Sequence, residues 1–373
     1  MAPKNTCMCV HAALTTTLIL LTATVAMADY NTQVPADHSQ VNTGFNNNVK
    51  PYTARHGTLD PALATAEAGQ KVIKVKKDGS GQFKTITDAV NSIPAGNTKR
   101  VIVYIGGGVY NEKIIIPRNK PFVTFYGSPT NMPTLTFAGT AKKYGTVDSA
   151  TVIAESDYFV AANLIIKNSS PRPDGKGVGE QALALRVSGN KSALFNCRLI
   201  GFQDTLCDDR GKGNHFFKDC FIEGTVDFIF GSGKSLYLNS ELHVLGNNEM
   251  TVITAQARDL ASEDTGYSFV HCNITGTGNG TYLGRAWRTS PRVVFAYTSM
   301  SEVITPVGWN NKNRPERDST VFYGEYKCSG PGSSMVGRVK YTKQLTGEQI
   351  KPFLSLGYIQ GSKWLLPPPN PEV

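Results

Sequence analysis

Apolar and polar residues alternate in short runs along most of this chain, and one such run recurs. Between Asn196 and Gly231 it occurs twice: Asn196-Cys197 matches Asp219-Cys220, Leu199 matches Ile222, Gly201 matches Gly224 and Asp204 matches Asp227, all offset by 23 residues. Related runs begin at Phe159, Ala193, Phe216, Leu236, Ser268 and Val293, with offsets of 34, 23, 20, 32 and 25 residues. A strand motif that keeps its pattern while its spacing varies predicts stacked coils whose turns swell into loops. A β-sandwich also has many short strands, but it would not repeat one motif in this way. The fold class expected is therefore all-β, a solenoid of parallel coils with short helices at its ends.

The flanking pattern sets the boundaries. Residues 71–366 carry the coil signal, opening with the alternating Val72-Ile73-Lys74-Val75 and a turn at Lys77–Gly81. Ile86, Ala89, Val90 and Ile93 then fall at helical spacing before Pro94, which predicts a short helix placed to cap one end of the stack. Further strands are expected at Arg100–Ile105, Lys113–Ile116 and Phe122–Tyr126. Thr346-Gly-Glu-Gln349 has the form of a capping box, so a second helix should follow and cover the other end or the side. Residues 29–70 are polar with little periodicity and read as a loosely structured extension. Residues 367–373 are a Pro-rich tail.

Composition adds an address. Residues 1–28 have one charge (Lys4), a short apolar run around Leu18–Leu21 and Ala26-Met27-Ala28, the marks of a secretory signal peptide. Without that segment the net charge falls from +9 to 37 − 29 = +8, which suits an anionic polymer or simply aids solubility. The basic residues form no long run and no basic helix, which argues against nucleic acid. No later segment is apolar enough to span a membrane. Five cysteines remain after the signal (Cys197, Cys207, Cys220, Cys272 and Cys328), so at least one is free or pairs with another chain. Asn168, Asn190, Asn273 and Asn279 stand in sequons.

The repeat also suggests chemistry. If each copy is one coil, Asp204 and Asp227 sit at equivalent places on neighbouring strands, about 5 Å apart. Two carboxyls so close cannot both ionise easily, and their pKa values should split into a base or nucleophile and an acid. Other motifs fade on inspection. Gly231-Ser-Gly-Lys-Ser235 resembles the end of a phosphate loop, but Phe228 stands where that loop needs glycine. There is no serine-hydrolase elbow, no metal-ligand spacing of histidines and no C-x-x-C, so neither metal nor cofactor is called for. What remains are Gln181–Leu185, Gln203–Leu206, Asp227–Gly231 and Leu283–Trp287. Singly, each of these could be a rung of a side-chain ladder or a structural ion pair.

Together these motifs resemble the pectin methylesterases (pectinesterases), particularly those of plants. Gly108–Glu112 is similar to that family's G-x-Y-x-E, Gln181–Leu185 to Q-A-V-A-L, Gln203–Leu206 to Q-D-T-L, Asp227–Gly231 to D-F-I-F-G and Leu283–Trp287 to L-G-R-P-W. The similarity runs in order from about Val72 to Trp364. It implies a right-handed parallel β-helix and an esterase secreted to the cell wall, acting as a monomer on pectin (homogalacturonan), with no nucleic-acid or membrane partner. It implies roles as well: Asp227 as nucleophile, Asp204 as general acid and base, Gln181 and Gln203 at the oxyanion, Arg285 holding Asp227, and Trp287 and Trp309 lining the sugar cleft with Gln181 and Arg285. The guanidinium would lower the Asp227 pKa by about 1–3 pH units and leave its neighbour the proton. Two positions depart from the pattern. Ala286 replaces Pro, and Cys207 stands where Tyr is common, which puts one substrate contact in question. No inhibitor-like pro-region precedes the domain, so any proteinaceous pectinesterase inhibitor would be a separate chain. Two rivals stay open at this point: another pectin-active β-helix such as a polygalacturonase or lyase, which a close carboxylate pair also suits, and a non-catalytic wall-binding protein.

Overall fold

The computed structural model describes residues 33–371, except 56, 210–212 and 248. The expected signal peptide, residues 1–28, lies outside the described residues. The chain forms a right-handed parallel β-helix built from three parallel sheets, one of eleven strands and two of eight. Each coil contributes one strand to each sheet, as in Ser192–Phe195, Arg198–Ile200 and Leu206–Asp208, followed by Asn214–Lys218, Phe221–Gly224 and Ile229–Gly231. Leu199 pairs with Ile222 and Leu206 with Ile229, so the 23-residue repeat is one turn of the coil.

The corners explain the polar residue in each repeat. Asn163, Asn196, Asp219 and Asn239 have φ between 47° and 59°, left-handed backbone that short polar side chains tolerate best. They also form a ladder. Asn196 Nδ2 donates to Asn163 Oδ1 at 2.9 Å, and Asn239 Nδ2 donates to Asp219 Oδ1 at 2.6 Å. The residue after such a corner turns inward, which places Leu164, Cys197 and Cys220 in the core, and Cys272 after the like corner at His271 (φ 52°). All five cysteines among the described residues are free thiols. Burial pushes Cys197 and Cys272 up to about 12, which keeps them as inert thiols. Inside the long sheet an aromatic column runs along the axis. Phe217 stacks on Tyr237 at 4.4 Å, Tyr237 on Phe269 at 4.4 Å, and Phe269 on Phe295 at 4.6 Å.

The long sheet is apolar on both faces, and both ends of the chain fold back to cover its outer one. Residues 33–70 are not loosely structured: Val41–Asn48, Tyr52–Arg55 and Pro61–Ala68 are helical. Val41, Phe45 and Val49, four residues apart, bury one helical stripe among the Asn residues, and Phe45 stacks 5.7 Å from Phe216. The helix Ile86–Ser92 starts at an N-cap Thr85 and packs Ile86, Ala89 and Val90 into the core beside the first strand, Lys71–Val75. At the other terminus the capping box forms as read, with the Thr346 side chain accepting from Gln349 N–H. The segment it opens covers the side of the long sheet, where Phe353, Leu356 and Tyr358 are buried. This leaves one of the eight-stranded sheets to carry the candidate groove.

Candidate active site

The two repeat-matched aspartates sit at the turns that lead into Leu206–Asp208 and Ile229–Gly231. Asp204 N–H donates to Val226 O at 3.1 Å and Leu206 N–H to Phe228 O at 2.9 Å, which aligns the two turns one coil apart. Both aspartates have left-handed backbone, φ 66° and 51°. Such strain is common where a side chain must be aimed. The turns are pinned from behind. Thr205 Oγ1 donates to Glu223 O at 2.8 Å, and a Cβ on Gly224 would lie 2.6 Å from Phe202 O, so only glycine lets the coils approach this closely.

Arg285 reaches the pair from the end of Thr281–Arg285, two strands further along the same sheet. Its Nε donates to Asp227 Oδ1 at 2.8 Å and to Oδ2 at 3.1 Å, and its terminal nitrogen also bonds Oδ2. The intervening strand carries Ala255 beside Thr254, the partner of Gly284, and so small a side chain leaves the path clear. Asp204 and Asp227 are 8% and 5% exposed. Burial raises Asp204 well above the ordinary carboxylate value, and the neighbouring Asp227 charge adds to it. Asp227 is also raised: burial outweighs the hydrogen bonds and charge of Arg285, contrary to the expectation that the guanidinium would lower it. Among the described residues Arg285 pairs with Asp227 and with no other carboxyl, so Asp227 remains the carboxyl more ready to ionise.

Gln181 and Gln203 come from adjacent coils, since Ala182 N–H donates to Gln203 O at 3.2 Å. Both are half-buried, and among the described residues neither side-chain amide bonds another side chain. Two amide donors on the turns beside two unlike carboxyls have the chemistry to stabilise an oxyanion and pass a proton, the needs of acyl transfer. Trp287 stands at the rim, 42% exposed, with the Lys312 ammonium 3.4 Å from its ring centroid and the Arg285 guanidinium 5.5 Å away. Trp309 does not line the cleft as expected. It is 1% exposed, stacked 4.2 Å from Tyr323, with Nε1 donating to Glu325 at 3.0 Å. The reason is its register: it pairs with Gly284, where a Cβ would meet the indole at 3.1 Å, so the ring turns inward. Cys207 is likewise beneath the surface, packed with Ile153, Leu183 and Ala150. Lys312 was missed by sequence reasoning, although the run Lys312, Arg314, Arg317 beside Trp309 was a visible signal.

The family model for pectinesterases matches residues 72–362. The chain belongs to the pectinesterase family. It is 58% identical over 326 residues to putative pectinesterase 63 of Arabidopsis thaliana, covering 87% of this chain and 93% of that protein. It is 54% identical over 351 residues to pectinesterase 2 of Olea europaea, covering 94% and 95%. Among solved structures, the pectin methylesterase from carrot superposes with a TM-score of 0.73 at 31% identity, covering 79% of this chain and 94% of that one. A pectin methylesterase solved in complex with a hexasaccharide gives a TM-score of 0.66 at 28% identity, covering 81% and 100%. Family membership decides what the carboxyl pair alone left open: this pectinesterase is an ester hydrolase, not a polygalacturonase or lyase.

Proposed function

We propose that this pectinesterase is exported and removes methyl esters from homogalacturonan, releasing methanol, with Asp227 as nucleophile and Asp204 as acid and then base. Ionised Asp227 attacks the ester carbonyl carbon, and the Gln181 and Gln203 amides donate to the oxygen that becomes negative. As the tetrahedral centre collapses, protonated Asp204 gives its proton to the departing methoxide, and methanol leaves an acyl-enzyme. Asp204, now a carboxylate, takes a proton from water, which attacks the acyl carbon. The product leaves as the free acid and gives its proton to solvent, Asp227 is restored as a carboxylate and Asp204 keeps the other proton of the water. No metal or redox partner enters the balance.

The observation that carries this reading is the unequal treatment of two carboxyls in register: Arg285 bonds both oxygens of Asp227 and none of Asp204. A site that needs one ionised and one protonated carboxyl near neutral pH requires such an asymmetry. The relative crystallised with a hexasaccharide supports an oligosaccharide or polysaccharide substrate, and the excess of positive charge suits a substrate that turns anionic as it is processed. Export rests on residues 1–28 and is compatible with glycans at Asn273 and Asn279, which are exposed. Asn168 is a poor acceptor, because its amide is buried and donates to Gly139 O and Leu183 O at 2.9 Å. The decisive experiment is methanol release from esterified pectin by Asp227→Ala. Release should vanish while circular dichroism stays that of the parent. Release at the parent rate would contradict the assignment.

A further inference from the structure

The rim beside Trp287 carries more positive charge than nearby acids neutralise. Arg285 is engaged by Asp227, and Arg317 donates to the carbonyls of Ala286 and Trp287. Arg314 has Glu316 at 4.0 Å, both well exposed. Lys312 has no carboxylate partner among the described residues, and its ammonium rests on the Trp287 ring. The position is built rather than casual. Lys312 and Asn313 both have left-handed backbone, φ 59° and 55°, and Lys312 N–H donates to Asn310 Oδ1 at 2.6 Å. Left-handed backbone is unfavourable for a long side chain such as lysine, so the loop holds Lys312 in place against its own preference.

We propose that Lys312, seated on Trp287, binds the free carboxylate of a galacturonate unit next to the ester being cleaved, and so steers the enzyme to partly de-esterified stretches of pectin. The inference rests on the pectin methylesterase reading above. Its chemistry follows from the product: each turnover replaces a neutral ester with a carboxylate on the same chain. A fixed ammonium near the reacting unit therefore distinguishes a processed neighbour from an unprocessed one. Lys312 also lies close enough for its charge to favour ionised Asp227, so the test must separate the two effects.

Lys312→Met keeps an unbranched stem over the indole and removes the charge, while Lys312→Arg keeps the charge. KM and kcat for methanol release are measured on fully esterified and half-esterified pectin. For the parent, KM is expected to be lower on the half-esterified polymer, an advantage that high salt erases. In Lys312→Met the ratio of the two KM values should shift against the half-esterified polymer by about three- to fivefold, the range of an exposed ion pair, and Lys312→Arg should restore most of it. An unchanged ratio overturns the proposal. If both substrates lose rate equally and the acid limb of the kcat profile moves, Lys312 acts through Asp227 alone, which also overturns it. A parent enzyme that releases methanol from neither polymer would instead refute the underlying functional reading.

Discussion

Two buried aspartates four residues apart, Asp204 and Asp208, show how one coil holds carboxyls in unlike settings, one proposed for catalysis and one caged. Asp208 is fully enclosed. Its Oδ1 meets His215 Nδ1 at 2.6 Å, its Oδ2 accepts from Tyr237 at 2.6 Å, and His215 Nε2 meets Gly189 O at 2.9 Å. Each carboxylate oxygen has a partner from within, and the residue is shut off from solvent. Asp204 lies at the turn before the same strand and has a like charge for a neighbour in place of a hydrogen-bonding cage. Burial alone does not distinguish the two. The difference is that Asp208 is caged by hydrogen-bonding partners, whereas Asp204 faces a second carboxyl.

The comparison can be broken in several ways, taken from the largest effect down. Asp227→Asn should lower kcat for methanol release by about 10⁴-fold or more, since a nucleophile has no substitute in the site, with the unfolding midpoint near that of the parent. Asp208→Ala should do the reverse. It leaves His215 and Tyr237 buried without their partner and should cost about 3–5 kcal/mol of stability in denaturant titration, while activity per folded molecule stays within a few-fold. Gln181→Ala should lower kcat by about 10²–10³-fold with little change in KM, the typical effect of losing one oxyanion donor.

The last prediction concerns sign rather than size. The folded Asp204 pKa lies above its unfolded value, ordinarily 3.8. Between the two values the folded state binds the extra proton, so stability falls as pH rises through that window. Asp204→Asn removes the penalty. Its melting temperature should exceed that of the parent near pH 7, and the gain should disappear below about pH 4, where the parent carboxyl is protonated in both states. A gain that grows on acidification would show that Asp204 is stabilised as a carboxylate.

The architecture was legible because a coil repeats its own constraints. Asn196 and Asp219 are short polar residues since the corner demands left-handed backbone, and the same demand recurs one turn later. That periodicity put Asp204 opposite Asp227 before any coordinates, and the motifs added Gln181, Gln203 and Arg285. Two classes of feature were hidden. The helix Val41–Asn48 was obscured because only one residue in four is apolar, and its stability comes from the outer face of the long sheet, which no local pattern reveals. The orientation of Trp309 was hidden as well, because it depends on Gly284 across the sheet and on the carboxylate of Glu325. Motif order says that an aromatic is near the site, and register decides which way it points.

The most direct test of the paired-aspartate mechanism is to trap the covalent intermediate. Enzyme turning over esterified pectin in the presence of hydroxylamine is digested, and the peptides bearing Asp204 and Asp227 are weighed by mass spectrometry. An acyl link through the nucleophile should leave a substrate-dependent hydroxamate on Asp227 and none on Asp204. Methanol release at the normal rate with the label on Asp204, or on neither residue, would contradict the account.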